Sequence, residues 1–309
     1  MNKLLLSLLL FASLNSLYAQ NLDPVSKWAT IAAYEYHFFP NLVYKKANNM
    51  DLKLDVITAG PAKQARPTLI YIHGGGWVSA SKEQTLLNTL PLLTRGMNVV
   101  TVEYRLGPQS LAPAAVEDCR CALRWVHQHA EEYGFDTTKL ILEGHSAGGH
   151  LSLLTGMLDA AAGFDNECAG DETLKGGQLW PDNLRVAAIV NYFGVTDLTD
   201  LLQGPNVKWY AVSWFGSLPD RIELARKLSP LTYVRAGLPP IITLHGDHDD
   251  IVPYQHAVRL REALDRAGVP NELFTVPGGG HGGWTREENF RGQETVFRFL
   301  EKHGILVPQ

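Results

Sequence analysis

Residues 139–149 read KLILEGHSAGG, and this stretch decides how the rest of the chain is interpreted. Its first four residues form a short apolar run that is typical of a buried strand, and a helix-like stretch begins near Ala147. The pattern G-x-S-x-G lies between them, with Gly144 and Gly148 on either side of Ser146. A serine at a sharp turn from strand to helix presents its hydroxyl outward, and the flanking glycines are needed because side chains there would collide with the turn. Ser146 is therefore the predicted nucleophile.

Short apolar runs rich in β-branched residues recur on both sides of this motif and alternate with helix-like stretches. The predicted strands are 52–57, 68–72, 98–102, 139–142, 186–191, 241–244 and 272–276, and the predicted helices are 82–95, 113–133, 147–158, 254–267 and 287–302. Strands that alternate with helices of this length need crossover connections, which predicts an α/β fold with a mostly parallel sheet covered on both faces. We expect one domain over residues 20–309, with possible lid elements in the long connections 159–185 and 196–233.

The composition limits the classes of protein that the chain can belong to. Of its 309 residues 45% are hydrophobic and 19% charged, which excludes a disordered chain. The net charge of −5 lacks the basic excess of a nucleic-acid binder. Residues 1–19 have the charged start, apolar middle and small exit residue of a secretory signal peptide, with cleavage expected after Ala19. No other stretch is apolar for long enough to span a membrane, so we expect an exported, secreted or periplasmic, protein without a membrane span in its mature form.

The three cysteines allow at most one intramolecular disulfide. Cys119 and Cys121 are two residues apart in a predicted helix, where they point to different faces and cannot pair with each other. Two alternatives stay open: a disulfide from one of them to Cys168, or three free thiols. Their spacing does not match a zinc site.

A second motif, HGGGW at residues 73–77, directly follows the predicted strand 68–72. Consecutive glycines allow backbone amides to turn toward a substrate atom. Two such donors and the amide of Ala147 would bind the negative oxygen of a tetrahedral intermediate. Ala147 also opens a helix, whose positive end favours an anion.

A serine nucleophile needs a base, and in this type of sheet the chain order is serine, then acid, then histidine. Six of the eleven histidines follow the nucleophile: His150, His245, His248, His256, His281 and His303. His281 lies in the sequence GGGHGG just beyond the predicted strand 272–276. Loops at the carboxyl ends of strands gather active sites in open α/β sheets, so His281 is the predicted base.

The acid is expected in residues 245–253, HGDHDDIVP, which also follow a predicted strand. Asp247, Asp249 and Asp250 compete there, and Asp197 after the preceding strand satisfies the same chain order. The histidines and aspartates of residues 245–253 are contiguous in a loop and supply no ligand pair at helical spacing, so no metal site is expected.

Together these motifs, with Tyr104-Arg105-Leu106 and Ser229-Pro230, resemble the α/β-hydrolase superfamily over residues 44–300. The chain resembles most the exported feruloyl and acetyl-xylan esterases, which share HGGG with the hormone-sensitive-lipase group. The resemblance implies the catalytic set Ser146, Asp249 and His281, with Asp249 taken from the pattern H-G-x-x-D-x-x-V-P. It also implies oxyanion-hole donors at Gly75, Gly76 and Ala147, and no cofactor. His145 departs from the pattern, because many relatives carry Glu before the nucleophile.

The resulting hypothesis is a secreted serine carboxylesterase that forms an acyl-enzyme and acts on small acyl or aromatic esters, in particular of carbohydrates. An amidase, peptidase or formamidase with the same triad, and a carboxylesterase acting on short-chain lipids, are the alternatives. Trp77, Trp214 and Trp284 are candidate substrate contacts because indole rings stack on sugars and phenolic groups. The partner is a small-molecule or carbohydrate ester, and the sequence does not assign an oligomeric state.

Overall fold

The structure, a computed structural model, describes residues 22–60, 64–166, 168 and 184–308. The predicted signal peptide at residues 1–19 and much of the predicted lid segment 159–185 lie outside these residues. Within the described part of the chain, no helix combines the length and the apolar character needed to cross a membrane.

The described residues form one eight-stranded sheet with the order β1-β2-β4-β3-β5-β6-β7-β8. The strands are β1 Tyr36–Ala47, β2 Met50–Ala59, β3 Arg66–Ile72, β4 Asn98–Val102, β5 Phe135–His145, β6 Ala188–Tyr192, β7 Ile241–Gly246 and β8 Asn271–Val276. Strands β3 to β8 pair in parallel, whereas β1 and β2 form an antiparallel edge. The predicted α/β class and mostly parallel sheet are confirmed, and β1 is a strand that was not predicted.

Helices cover both faces of the sheet. They are α1 Pro24–Glu35, α2 Leu90–Leu93, α3 Ala114–Gln128, α4 Ala130–Tyr133, α5 Ala147–Met157, α6 Trp209–Phe215, α7 Arg221–Lys227, α8 Gln255–Arg266 and α9 Arg286–Lys302. The prediction of one helix over 82–95 is wrong, because Lys82–Thr89 is a 3₁₀ helix and only α2 is α-helical. Pro91 explains the break, since its ring in a continuous α-helix would collide with the carbonyl of Leu87.

The register of the sheet brings the functional loops together at one edge. Ile72 at the end of β3 pairs with Gly144 in β5, so the HGGGW loop lies beside the serine turn. Gly246 at the end of β7 pairs with Val276 at the end of β8, so the loops with the predicted acid and base leave the sheet side by side. This is the carboxyl edge, where open α/β sheets place their sites.

The cysteines form one disulfide. Cys121 in α3 bonds to Cys168, with their Cα atoms 5.0 Å apart, and Cys119 is a buried free thiol. The alternative of three free thiols is therefore wrong. The bond fastens α3 to the connection that follows α5.

Candidate active site

Ser146 lies on a strained turn between β5 and α5. Its φ of 57° and ψ of −119° are unusual for a residue with a side chain, and its amide donates to the Tyr192 carbonyl at 2.9 Å. The space that side chains at Gly144 and Gly148 would need is filled by backbone, including the Ile72 carbonyl. The two glycines therefore permit the close contact of the turn with β3 that the sequence motif predicts.

A chain of hydrogen bonds runs from Ser146 through His281 to Asp249. The Ser146 Oγ lies 2.9 Å from His281 Nε2, and His281 Nδ1 lies 2.7 Å from Asp249 Oδ2. The other carboxylate oxygen of Asp249 accepts from the amides of Ile251 at 2.9 Å and Val252 at 2.8 Å. The imidazole is thus held between a hydroxyl and a carboxylate, as an acyl-transfer base requires.

His245 is a further partner of the acid to which the sequence interpretation gave no role. Its Nε2 lies 3.2 Å from Asp249 Oδ2 and 3.0 Å from the Val252 carbonyl, and its side chain is completely buried. Burial alone would raise the pKa of Asp249, but hydrogen bonds from His245 and His281 outweigh it and hold that pKa well below its usual range. The only signal in the sequence was the spacing of four residues between His245 and Asp249.

None of the three competing carboxylates forms a hydrogen bond with His281. Asp247 accepts from the His248 ring at 2.6 Å and from the Gly278 amide at 2.7 Å, which fastens the acid loop to the histidine loop. Asp197, in the 196–233 connection, forms an ion pair with Arg259 of α8, with 2.9 Å between its Oδ2 and the Nη1 of the arginine. Asp250 is exposed at the surface. Of the four candidates, Asp249 is the one that contacts His281.

The glycine loop after β3, where two oxyanion-hole donors are predicted, contains residues with positive φ. Gly75 and Gly76 have φ values of 96° and 60°, and the Gly75 carbonyl accepts from the amides of Val78 and Ser79, both at 3.1 Å. Among the described residues, no group accepts a hydrogen bond from the amide of Gly75 or Gly76. Ala147 is the first residue of α5, where helix amides lack an intrahelical partner. All three predicted donors are therefore available.

Trp77 directly follows the glycine loop, and its indole stacks on that of Trp214. Both side chains are completely buried, with ring centroids 4.5 Å apart. Trp77 Nε1 donates to His150 Nδ1 at 3.1 Å, and His150 Nε2 donates to the Leu228 carbonyl at 2.7 Å. The prediction that Trp77 and Trp214 contact substrate is therefore wrong, because both indoles belong to the core.

A cleft of about 670 Å³ opens over the serine. Apart from the glycine loop, Ser146 and His281, it is lined by His145, Phe193, Lys208, Trp209, Tyr210 and Ile251. Trp284 lies outside this lining but packs against Phe193, which is part of it, and donates to the Gly280 carbonyl at 3.1 Å, so its substrate contact stays a prediction. Trp209, which is 71% exposed, is the tryptophan that lines the cleft.

Part of the long connection 196–233 forms one wall of this cleft and is tied to the acid loop. The Tyr210 hydroxyl donates to the Ile251 carbonyl at 2.9 Å, and Lys208 Nζ donates to the Asp250 carbonyl at 2.6 Å. These bonds join the start of α6 to the loop that carries Asp249. We call residues 208–210 the α6 wall.

A sequence model of the BD-FAE family matches residues 54–264, more than half of the chain. The chain belongs to the BD-FAE family of α/β-hydrolase esterases. The predicted superfamily is thereby confirmed, and the family segment contains Ser146, Asp249 and the glycine loop.

Other esterases resemble this BD-FAE chain in sequence and in fold. Esterase LipQ of Mycobacterium tuberculosis is 30% identical over 218 residues, covering 68% of this chain and 48% of LipQ. Carboxylesterase NlhH of the same organism is 29% identical over 226 residues, covering 70% and 66%. The chain thus spans about half the length of LipQ. Native esterase Est2 of Thermogutta terrifontis aligns with a TM-score of 0.72 and 31% identity over 87% of this chain and 94% of its own.

Proposed function

We propose that this chain is a serine carboxylic ester hydrolase that works through an acyl-enzyme. The observation that carries the proposal is the unbroken hydrogen-bond chain from Ser146 Oγ through His281 to Asp249 at distances of 2.9 and 2.7 Å. The esterase relatives, in sequence and in fold, support the same chemistry.

In the first half of the proposed reaction, His281 Nε2 takes the proton of Ser146 as the oxygen attacks the ester carbonyl. The carbonyl oxygen becomes an oxyanion facing the amides of Gly75, Gly76 and Ala147, and each such donor contributes about 3 kcal/mol to lowering the barrier. The intermediate collapses with loss of the alcohol, whose oxygen receives the proton from His281. In the second half, water attacks the acyl-serine with the same residues in the same roles, and the acid is released.

The environment of Asp249 suits this cycle. His281 becomes positive when it holds the serine proton, and an ionised carboxylate stabilises that charge and fixes the ring tautomer. The hydrogen bonds from His245 and His281 keep the pKa of Asp249 low despite its burial, so the carboxylate stays ionised throughout the neutral pH range.

The proposed substrates are esters with a small acyl or aromatic group, in particular those of carbohydrates, as in acetyl and feruloyl esterases. A cleft of about 670 Å³ with Trp209 and Ile251 in its walls suits a compact apolar or aromatic group. Est2 of Thermogutta terrifontis has structures with propionate bound and with butyrate bound, which supports the short acyl group. Amide hydrolysis by the same triad is the alternative that the experiment must separate.

We also propose that the protein is exported. Its support is the signal-peptide pattern of residues 1–19 together with the bond between Cys121 and Cys168, since disulfides persist in oxidising compartments. The test is the N-terminal sequence and location of the protein after expression in its host. A retained N-terminus and a cytoplasmic location would refute the proposal.

The function is tested by a hydrolysis panel of p-nitrophenyl esters of increasing chain length, methyl ferulate, acetylated xylan and matched amides. We expect hydrolysis of the esters well above that of the amides. Ser146→Ala should lower kcat by about 10⁴-fold or more and abolish covalent labelling by a fluorophosphonate. Ser217→Ala, which changes an exposed serine, is the matched control and should keep both. Labelling that survives in Ser146→Ala would place the nucleophile elsewhere.

A further inference from the structure

His145, the last residue of β5, lines the cleft, and the proposed mechanism does not use it. Its ring packs against Tyr192 at 4.3 Å and Phe193 at 5.4 Å between centroids, and against Tyr71 on the neighbouring strand. These contacts fix the position of the ring. Among the described residues, no group forms a hydrogen bond with either of its ring nitrogens.

The other polar side chains of the cleft already have partners. Ser146 and His281 bond to each other, the Tyr210 hydroxyl donates to the Ile251 carbonyl, and the Lys208 ammonium donates to the Asp250 carbonyl. The ring of His145 therefore offers unused hydrogen-bonding groups directly beside the nucleophile, in walls that are otherwise largely aromatic and aliphatic.

The charge of the ring indicates the kind of group it suits. Burial, reinforced by the nearby His281, lowers the pKa of His145 to about 4, so the ring is neutral at neutral pH. A neutral imidazole has one nitrogen that donates and one that accepts. A hydroxyl group, which also donates and accepts, fits it better than a carboxylate, which needs donors and gains from positive charge.

The position of His145 indicates which half of the ester it meets. The Phe193 ring lies 4.6 Å from the His281 ring and 5.4 Å from the His145 ring, so both histidines stand along the same wall. The glycine loop packs instead against the α6 wall, where Gly76 directly faces Tyr210. Because His281 must protonate the departing alcohol, the alcohol half of the ester lies along the wall that His145 shares.

From these contacts we propose that His145 binds a hydroxyl group on the alcohol half of the substrate, close to the ester oxygen. The inference rests on the proposed esterase function and deepens it, because it names the side chain that recognises a hydroxyl group beside the ester. His145 is then a residue that sets specificity for the alcohol, and the acyl group is selected by other walls of the cleft.

The test compares two acetates of nearly equal size, 2-hydroxyethyl acetate and n-propyl acetate, which differ by a hydroxyl in place of a methyl group. The readout is the ratio of their kcat/KM values. We expect the ratio to favour the hydroxyethyl ester in the unmodified protein and to fall about tenfold in His145→Phe, the effect of losing one neutral hydrogen bond. His145→Gln keeps a donor and an acceptor, so its ratio should stay within about threefold of the original.

His37→Phe makes the same chemical change at an exposed position on β1 and should leave the ratio unaltered. Equal losses for both acetates in His145→Phe would overturn the inference, since they would mean a general structural role. An unchanged ratio in a folded His145→Phe would overturn it too. If His145→Phe does not fold, the test rests on His145→Gln, which keeps a donor and an acceptor. A fall of the ratio by about tenfold in that variant would also overturn the inference. Failure of the unmodified protein to hydrolyse either acetate, or any ester in the panel, refutes the esterase function itself and the inference with it.

Discussion

Asp249 is the residue whose surroundings show most clearly how the fold supports the chemistry. It is buried, which by itself would favour its neutral form, yet two imidazoles and two backbone amides bond to its oxygens. Each of these bonds favours the ionised form. The carboxylate is thus held in one orientation and in its charged form, as the proposed role beside a positive His281 requires.

Asp249→Asn should lower kcat by about 10⁴-fold with little change in fold, because an amide cannot stabilise the charged imidazole or maintain its tautomer. Asp250→Asn is the matched control, since it makes the same change at the next residue, whose side chain is exposed. It should keep kcat within about threefold. Steady-state kinetics on the best p-nitrophenyl ester and circular dichroism measure the two effects. Comparable losses in both variants would contradict the role given to Asp249.

At the scale of the residue, the sequence predicted Ser146 and His281 from local pattern and chain order, whereas spacing alone left four aspartates open. The resemblance to the pattern H-G-x-x-D-x-x-V-P selected Asp249, and the structure separates the four by which carboxylate reaches His281. The same limit applies to Trp77 and Trp214. A tryptophan in a loop has the same sequence appearance whether its ring faces a cleft or the core.

At the scale of the element, buried strands and helices with a buried face were predictable, and the largely exposed elements were not. β1 is an edge strand with mostly exposed residues, and it contains Pro40, which central strands exclude. α1 begins with Asp23 as its N-cap, but none of its residues is buried, so it carries no apolar periodicity. Neither element has the buried apolar pattern from which the others were predicted, although β1 pairs with β2, the next strand in the sequence.

The disulfide between Cys121 and Cys168 closes a loop with a sequence separation of 47 residues. Closing a loop of this size stabilises a protein by about 4 kcal/mol in the chain-entropy description. We expect Cys121→Ala to lower the free energy of unfolding by about 3 to 4 kcal/mol in urea titrations.

Cys119→Ala is the matched control for this prediction, because it changes the buried thiol on the same helix and leaves the bond intact. It should lower the free energy of unfolding by about 1 kcal/mol. Dithiothreitol should then destabilise the unmodified protein and Cys119→Ala but have no effect on Cys121→Ala. Equal sensitivity of all three proteins to the reductant would show that the bond does not support the fold.

At the scale of the whole molecule, stability is tied to pH by three buried histidines. His73, His150 and His256 are each at most 1% exposed, and burial lowers the pKa of each from 6.5 to about 4. Between these two pH values the unfolded chain binds protons that the folded chain does not, so stability is full above 6.5 and is lost as the pH falls toward 4. Each histidine contributes about 3 kcal/mol to this loss of the free energy of unfolding. The three together are comparable to the whole free energy of unfolding of a typical domain.

Urea titrations at pH 7.5, 5.5 and 4.5 should therefore show a steep loss of the free energy of unfolding. His150→Gln keeps groups that can accept from Trp77 and donate to Leu228 but does not titrate. We expect it to be less stable at pH 7.5 and to lose about 3 kcal/mol less than the unmodified protein on acidification. Parallel losses in the two proteins would mean that His150 does not titrate as its burial implies.

The α6 wall has a practical consequence for anyone redesigning the selectivity of this enzyme. Trp209 and Tyr210 are the obvious positions at which to enlarge the cavity, but the same short segment braces the loop that bears Asp249. Substitutions made there to admit more substrates will also tend to lower kcat, because they disturb the loop that carries Asp249. Phe193 is no safer a position for a mutant library, because its ring packs against that of His281 at 4.6 Å between centroids.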